Sequence, residues 1–354
     1  MRSYAGSVPA DVDDPRASAL AALDRAVHLL DRGFSAPQKV RAFRNARAVL
    51  AELDSEELTR MAAAGTLNDL AGIGPSTGSV IADAVAGRPS TYLAELDRKT
   101  RPDPGVGAPM REALRGDCHL HSDWSDGGAA LGDMARTAAA LGHEYMVITD
   151  HSPRLTIAHG LSPDRLREQL GLIAQLNEEL APFRILSGME VDILVDGSLD
   201  LPEDLLAGLD LVVASVHSKL AMPEIEMTRR MVLAVASPHV DVLGHCTGRQ
   251  IVGTGRAPSR FDADLVFAAC ARFGTAVEIN CRPERQDPPD DLLDAALGWG
   301  CLVSIDTDAH ATGQLEWQWS GCDKAVRHDV EPARVINTWS ADDLLGWTTS
   351  KAVA

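Results

Sequence analysis

Tyr145-Met146-Val147-Ile148-Thr149-Asp150-His151 is a short apolar run that ends in a hydroxyl, a carboxylate and an imidazole. A continuous apolar stretch of this length, bounded by polar residues, suits a strand buried on both faces. The chain repeats the arrangement. Seven such runs follow one another: Gly116–Leu120, Tyr145–Thr149, Ile185–Met189, Leu211–Val216, Val240–Leu243, Ala276–Ile279 and Cys301–Ile305. Segments of helical period separate them, among them Leu131–Leu141, Pro163–Leu180, Glu226–Ala236 and Asp262–Phe273. This alternation predicts an α/β fold of parallel strands with helical crossovers, either a barrel or a doubly wound sheet.

The other runs end as the second does. The first contains His119-Leu120-His121 and leads into Ser125-Asp126-Gly127, and the third ends Gly188-Met189-Glu190. Ser215-Val216-His217, Gly244-His245 and Ser304-Ile305-Asp306-Thr307-Asp308-Ala309-His310 end the fourth, fifth and seventh. Sites in such folds form at the C-terminal ends of the strands, so these side chains converge on one mouth. His119 and His121, two apart on a strand, point to the same side. One strand-end histidine is ordinarily a hydrogen-bonded structural residue; six of the chain's eleven, beside Asp126, Glu190 and Asp308, are a set. Crowded imidazoles and carboxylates require cations, and His/Asp/Glu donors suit zinc, manganese or iron. Nine ligands are too many for one ion and about right for three. His28, His143, His159, His239 and His328 fall outside the pattern, although His159 follows the second run on a long loop. Cys118 is expected in the packing behind the histidines, and Cys246 as an inert buried thiol.

The chain has 354 residues, 45% of them apolar, enough to bury one or two cores. Its net charge of −18 argues against coating nucleic acid or an anionic membrane by bulk charge. That charge is uneven. Residues 1–100 carry 12 basic and 13 acidic side chains, and residues 101–354 carry 21 and 38. Between the two parts lies Arg98-Lys99-Thr100-Arg101-Pro102-Asp103-Pro104-Gly105-Val106-Gly107, which has no apolar period. The expected organisation is a helical module over 1–97, a linker over 98–114 and the α/β module over 115–350. No apolar run is long enough to span a membrane, and Met1–Arg16 lacks a signal-peptide core, so a cytoplasmic protein is expected. Six cysteines without a CxxC pair or framework spacing read as reduced thiols. No pattern specifies an oligomeric state.

In the first module Leu20, Leu23, Val27 and Leu30 form one helical face. A second helix starts near Pro37 and runs through Val40, Phe43, Ala46 and Leu50; a third follows Asp54 as its cap. Gly72-Ile73-Gly74 then makes a tight turn into a helix carrying Val80, Ile81, Ala84 and Val85. Such a turn offers backbone N–H groups to a phosphate at a helix N-terminus, and the pattern resembles a helix-hairpin-helix that grips DNA. Arg41, Arg44 and Arg47 lie three apart as a basic stripe that either meets further phosphates or forms a solvated face.

The strand-end motifs together resemble those of the PHP (polymerase and histidinol phosphatase) superfamily. The resemblance implies a distorted seven-stranded (βα)7 barrel holding three divalent metal ions, preceded here by a small all-α domain. It suggests one ion on His119, His121, Glu190 and Asp308, a second on Glu190, His217 and His245, and a third on Asp126, His151 and His310. Asp150-His151-Ser152-Pro153, Gly160-Leu161-Ser162, Glu190-Val191-Asp192-Ile193-Leu194, Asp196-Gly197-Ser198-Leu199-Asp200 and Asn337-Thr338-Trp339 are similar to the PHP domain of bacterial family X DNA polymerases. The helical module resembles the DNA-end-binding domain of the same enzymes. The polymerase fingers, palm and thumb that separate the two in that family have no room here, so polymerase activity is not expected. Ser76 and Val80 stand where relatives often carry lysine, which argues against lyase chemistry. Cys246 replaces the proline common after Gly-His.

A trinuclear centre suits phosphoester hydrolysis. Arg154, Lys219, Arg249 and Arg285, each just beyond a strand end, are candidate phosphate clamps; Asp306 or His159 are candidates to protonate the leaving oxygen; Asp150 is a candidate to orient a ligand imidazole. The expected activity is 3′–5′ exonuclease or abasic-site processing on DNA ends. The alternatives are a phosphomonoesterase acting on a small molecule such as histidinol phosphate or a nucleotide, and a non-catalytic DNA-repair module.

Overall fold

A computed structural model describes residues 14–103 and 105–352; the expectation placed on Met1–Arg16 rests mostly on residues outside these, as does the linker's Pro104. The chain divides between Pro102 and Asp103 into two compact units, with Thr312–Gln314 grouped with the first.

The first unit is built from α1 (Pro15–Arg32), α2 (Pro37–Ala51), α3 (Ser55–Ala64), α4 (Pro75–Val85) and α5 (Thr91–Thr100). Leu23, Leu30, Phe43, Leu50, Leu58, Val80 and Ile81 share its core, so the apolar spacings of the sequence become the inward faces. Asp54 caps α3 as expected, accepting from the N–H groups of Glu56 at 2.8 Å and Glu57 at 3.3 Å. Regular structure enters the expected linker from both sides: α5 runs to Thr100, and α6 (Ala108–Ala113) begins the second unit.

The second unit continues with β1 (Gly116–Leu120), α7 (Leu131–Ala140), β2 (Tyr145–Ile148), α8 (Pro163–Leu180), β3 (Arg184–Asp192), α9 (Glu203–Leu206), β4 (Leu211–Ser215) and α10 (Glu224–Val235). It is completed by β5 (Val242–Leu243), α11 (Ala263–Phe273), β6 (Ala276–Asn280), α12 (Asp290–Gly298), β7 (Val303–Asp306), α13 (Gln318–Arg327) and α14 (Ala341–Ala352). All neighbouring strands pair in parallel, in the order β1-β2-β3-β4-β5-β6-β7, a nearly closed barrel. No helix among the described residues is long and apolar enough to cross a membrane.

Cys118, Tyr145, Val147, Leu186, Leu211, Val213, Val242 and Ala276 come from the first six strands and pack with Ala341 and Leu344 of α14. Several are the first residues of their strands, so this cluster closes the N-terminal end and leaves the C-terminal end for the polar side chains. Cys118 lies within that packing, and all six cysteines are buried and unpaired.

Several strand ends shift by one or two residues, with β5 shortened to Val242–Leu243 and β7 moved to Val303–Asp306; β3 and β1 depart further from the reading of the sequence. β3 does not stop at Met189; Glu190, Val191 and Asp192 stay in register with Val213, Ala214 and Ser215 of β4. Period-2 alternation permits this, with Val191 and Ile193 entering the apolar core while Glu190 and Asp192 take the other face, and β4 alongside supplies the pairing. β1 pairs Asp117 with Met146 and Leu120 with Ile148, three steps against two, which marks a bulge. His121 lies just beyond the strand.

Among the described residues no strand ladder joins β1 to β7, which meet only at the isolated parallel bridge Leu120–Ala309. Near the mouth the two approach through backbone bonds, Asp308 N–H to His119 O at 2.9 Å and His121 N–H to Ala309 O at 2.8 Å. Deeper in, side chains fill the seam. Asn337 donates to Gly116 O, Ile305 O and Asp306 Oδ1 at 3.3, 3.1 and 2.8 Å and accepts from Ile305 N–H at 2.7 Å. Gln318 donates to Gly116 O and Ile305 O at 3.1 and 3.0 Å. Two amide side chains therefore stand in for missing rungs of the ladder.

Candidate metal centre

Glu190 is the hub of the mouth. Its Oε1 lies 2.8 Å from His245 Nε2 and 3.2 Å from His217 Nε2; its Oε2 lies 2.9 Å from His151 Nδ1, 3.5 Å from His119 Nε2 and 3.6 Å from His121 Nε2. His121 continues to Asp308 Oδ1 at 3.4 Å, and Asp126 Oδ1 meets His151 Nε2 at 3.5 Å and His310 Nε2 at 3.3 Å. The structure thus brings all nine expected side chains into one connected cluster. Three groups within it have donor atoms close enough to share an ion: His121, Asp126, His151 and His310; His119, His121 and Glu190; His151, Glu190 and His217. Their memberships overlap through His121, His151 and Glu190.

The donors fit cations. Glu190 Oε2, His217 Nε2 and His151 Nδ1 belong to this cluster and are buried, yet no group stands in hydrogen-bonding geometry to any of them among the described residues. Buried polar atoms ordinarily find partners, so three in one carboxylate–imidazole cluster fit a cation as the group they receive. Charges are arranged accordingly. Burial raises the Glu190 carboxyl, but the imidazoles of His217, His119 and His151 outweigh it and hold it well below the usual range. Burial depresses His217, and Glu190 and Asp192 more than reverse this, lifting it to about 9. Burial pushes His245 down to about 3, with Arg285 adding to the effect, and pushes His121 down with His310 and His151 adding. Some imidazoles are thereby kept neutral, with a lone pair open to a cation.

Carboxylates behind the cluster set which nitrogen faces inward. His119 Nδ1 lies 2.6 Å from Glu278 Oε1, and His217 Nδ1 lies 2.5 Å from Asp192 Oδ1. Nδ1–H donation in both cases leaves Nε2 toward Glu190. Glu278 Oε2 also accepts the His245 N–H. A glutamine at this position has one oxygen and cannot accept both. Glu278→Gln is therefore expected to weaken manganese binding roughly 10- to 100-fold, measured by competition with a chromogenic chelator.

Other expected residues fall differently. Asp306 is fully buried, and its Oδ1 is held by Cys118 N–H and Asn337 in the seam at 2.8 Å each, so it is not placed as an acid for the leaving oxygen. Asp150 orients no imidazole; it accepts from Ser122, Ser125 and Gln169 and so fixes the loop that carries Asp126. Arg249 is engaged with the carbonyls of Arg285 and Gln286, while Arg285 Nε lies 3.3 Å from Asp308 Oδ2. Arg154, His159 and Lys219 are exposed on loops beyond β2 and β4. His159 and Lys219, like Gln286 and Asp308, hold positive φ, so backbone strain gathers at the mouth.

Sequence reading missed Glu278, Asp192 and Arg282. Arg282 Nη1 donates to Asp308 O at 3.1 Å, beside His310 Nδ1 at 2.8 Å. Glu278 alternates with apolar neighbours in Ala276–Asn280, and an acid inside a buried strand was the available signal.

In the helical unit, Gly72 takes φ 91°, as the tight turn requires. The N–H groups of Ile73 and Gly74 are turned inward, to Leu70 O and Thr77 Oγ1, which leaves the first-turn N–H groups of Ser76 and Thr77 as the helix's open donors. Arg44 and Arg47 lie against Asp31 and Asp24, so the basic stripe is partly neutralised; Arg41 is exposed.

Residues 117–254 match the family model for the PHP domain. DNA polymerase/3′-5′ exonuclease PolX of Bacillus subtilis is 39% identical over 231 residues, 65% of this chain and 40% of that one. A probable phosphatase of a Thermoanaerobacter species is 29% identical over 208 residues, covering 55% of this chain and 79% of that one. Among solved structures, histidinol phosphate phosphatase from Lactococcus lactis, complexed with zinc, L-histidinol and phosphate, aligns with a TM-score of 0.42 at 20% identity, covering 61% of this chain and 92% of that one.

Proposed function

We propose that this chain, whose residues 117–254 match the PHP domain model, is a metal-dependent phosphoester hydrolase, and specifically a 3′–5′ exonuclease or DNA-end phosphodiesterase without polymerase activity. The observation that carries the hydrolytic chemistry is Glu190 shared among five imidazoles, with Asp126, Asp308 and His310 extending the cluster. DNA as substrate is supported by the resemblance to the Bacillus subtilis polymerase/exonuclease, of which this chain spans 40%, and by the helical unit with Gly72-Ile73-Gly74.

In this reading three divalent ions are held by His119, His121, Glu190 and Asp308, by Glu190, His217 and His245, and by Asp126, His151 and His310. When bound, such ions supply charge neutralisation and acidify water so that hydroxide is available near neutral pH. The protein's own groups do the rest. Glu278 and Asp192 hold His119 and His217 with Nε2 inward. Arg285 and Arg282, beside Asp308, orient the phosphoryl oxygens through fixed guanidinium forks, and Arg249 steadies the Arg285 backbone. Arg154 and Lys219 stand on the rim, where a longer substrate would pass. With Asp306 engaged in the seam, the exposed imidazole of His159 is the group left to protonate the leaving oxygen. Arg41, Arg44 and the start of α4 would contact the DNA backbone.

The test is hydrolysis of a 3′-labelled single-stranded oligonucleotide by manganese-loaded protein, beside a panel of phosphomonoesters, with His119→Ala as control. Release of the labelled 3′-terminal nucleotide, absent in the control, is the expected result. Turnover of monoesters alone would replace this reading with a small-molecule phosphatase, which the 79% coverage of the probable phosphatase favours.

A further inference from the structure

Arg230 of α10 is 1% exposed, and its bonds form an unusual set. Nε donates to Ile193 O at 3.0 Å and Leu194 O at 2.9 Å, and Nη2 to Ile193 O as well. Nη1 donates to Ser218 O at 2.8 Å and meets Met222 Sδ at 3.7 Å, while Nη2 reaches Ser218 Oγ at 3.5 Å. Every one of these acceptors is neutral. Burying a cation on backbone carbonyls is costly, and an apolar side chain of similar volume would ordinarily suit the packing of α10 better.

What the guanidinium touches gives the reason. Ile193 and Leu194 directly follow Asp192, and Ser218 directly follows His217. Asp192 Oδ1 and His217 Nδ1 lie 2.5 Å apart, and it is this bond that turns His217 Nε2 toward Glu190. The two chain segments leave β3 and β4 just here, and their last shared backbone bond is Ile193 N–H to Ser215 O at 2.8 Å. Beyond it the ladder ends. Lys219, the next residue but one after His217, already holds φ 55°. A planar fork with donors on two sides bridges both segments at once, which a single ammonium on a flexible stem does not.

We propose that Arg230 is a positioning residue: it ties the chain after Asp192 to the chain after His217 and so holds the Asp192–His217 pair in the orientation that presents His217 Nε2 to a divalent cation. The inference rests on the reading of His217 as a metal ligand.

The test is a double-mutant cycle on the full chain, read as the dissociation constant for manganese by competition with a chromogenic chelator. Thermal midpoints of the metal-free proteins are recorded alongside. Arg230→Met is expected to weaken manganese binding about tenfold or more, with Arg230→Lys intermediate. On a His217→Ala background, Arg230→Met is expected to add less than about twofold, because its effect passes through a side chain already removed. A lowered thermal midpoint with unchanged manganese affinity would overturn the inference, as would effects that multiply in the double variant. If the methionine variant does not fold, Arg230→Lys completes the cycle. Unchanged affinity in His217→Ala alone would instead overturn the ligand assignment.

Discussion

Glu190→Gln is expected to remove phosphoester hydrolysis almost entirely, by roughly a thousandfold or more in kcat, about 4 kcal/mol of transition-state stabilisation. The amide has the shape of the carboxylate but neither its charge nor its second acceptor oxygen. Five imidazoles lie within 3.6 Å of those two oxygens, so the substitution disturbs the whole cluster and not one ligand. Steady-state hydrolysis of a phosphodiester by manganese-loaded protein checks this; retention of a tenth of the activity would contradict it.

The same variant carries a pH signature once divalent ions are chelated. His217 is lifted to about 9 in the folded protein, chiefly by Glu190 against the effect of burial. A raised imidazole contributes stability that is fully present below its unfolded value, near 6.5, and lost as pH rises through about 9. Removing Glu190's charge takes most of that contribution away. The stability gap between wild type and Glu190→Gln is therefore expected to be widest near pH 6 and to narrow above pH 9, as read from urea midpoints of the metal-free proteins.

Asn337→Leu is expected to destabilise the barrel by about 3 kcal/mol. Its amide satisfies groups on both sides of the seam, and the Ile305 N–H has no replacement acceptor once it is gone. Gly116 O and Ile305 O keep the Gln318 donor, which bounds the loss. Asn337→Asp separates geometry from charge: it retains the acceptor for Ile305 N–H but sets a carboxyl beside Asp306, so its destabilisation grows as pH rises. Urea denaturation followed by near-UV circular dichroism reads both. A loss below about 1 kcal/mol for the leucine variant would show that the seam closes without this side chain.

Much of this protein was determined by sequence alone. The seven apolar runs became the seven strands in the same order, and all nine polar residues at their ends came together, because strand burial and side-chain alternation are local properties written into short windows. Tertiary structure decided the rest. His119 meets Glu278 across 159 residues and Asn337 meets Gly116 across 221, pairings that no local period encodes. The extension of β3 past Glu190 depended on having β4 to pair with. Arg44 and Arg47, which read as an open stripe, acquired Asp31 and Asp24 only when α1 folded beside α2. Asp306, two residues before the ligand candidate Asp308, was drawn into the seam because the approach of β1 to β7 leaves the Cys118 N–H there without a ladder partner. Sequence placed the chemistry at the ends of the strands; the fold decided which groups face the substrate and which hold those groups still.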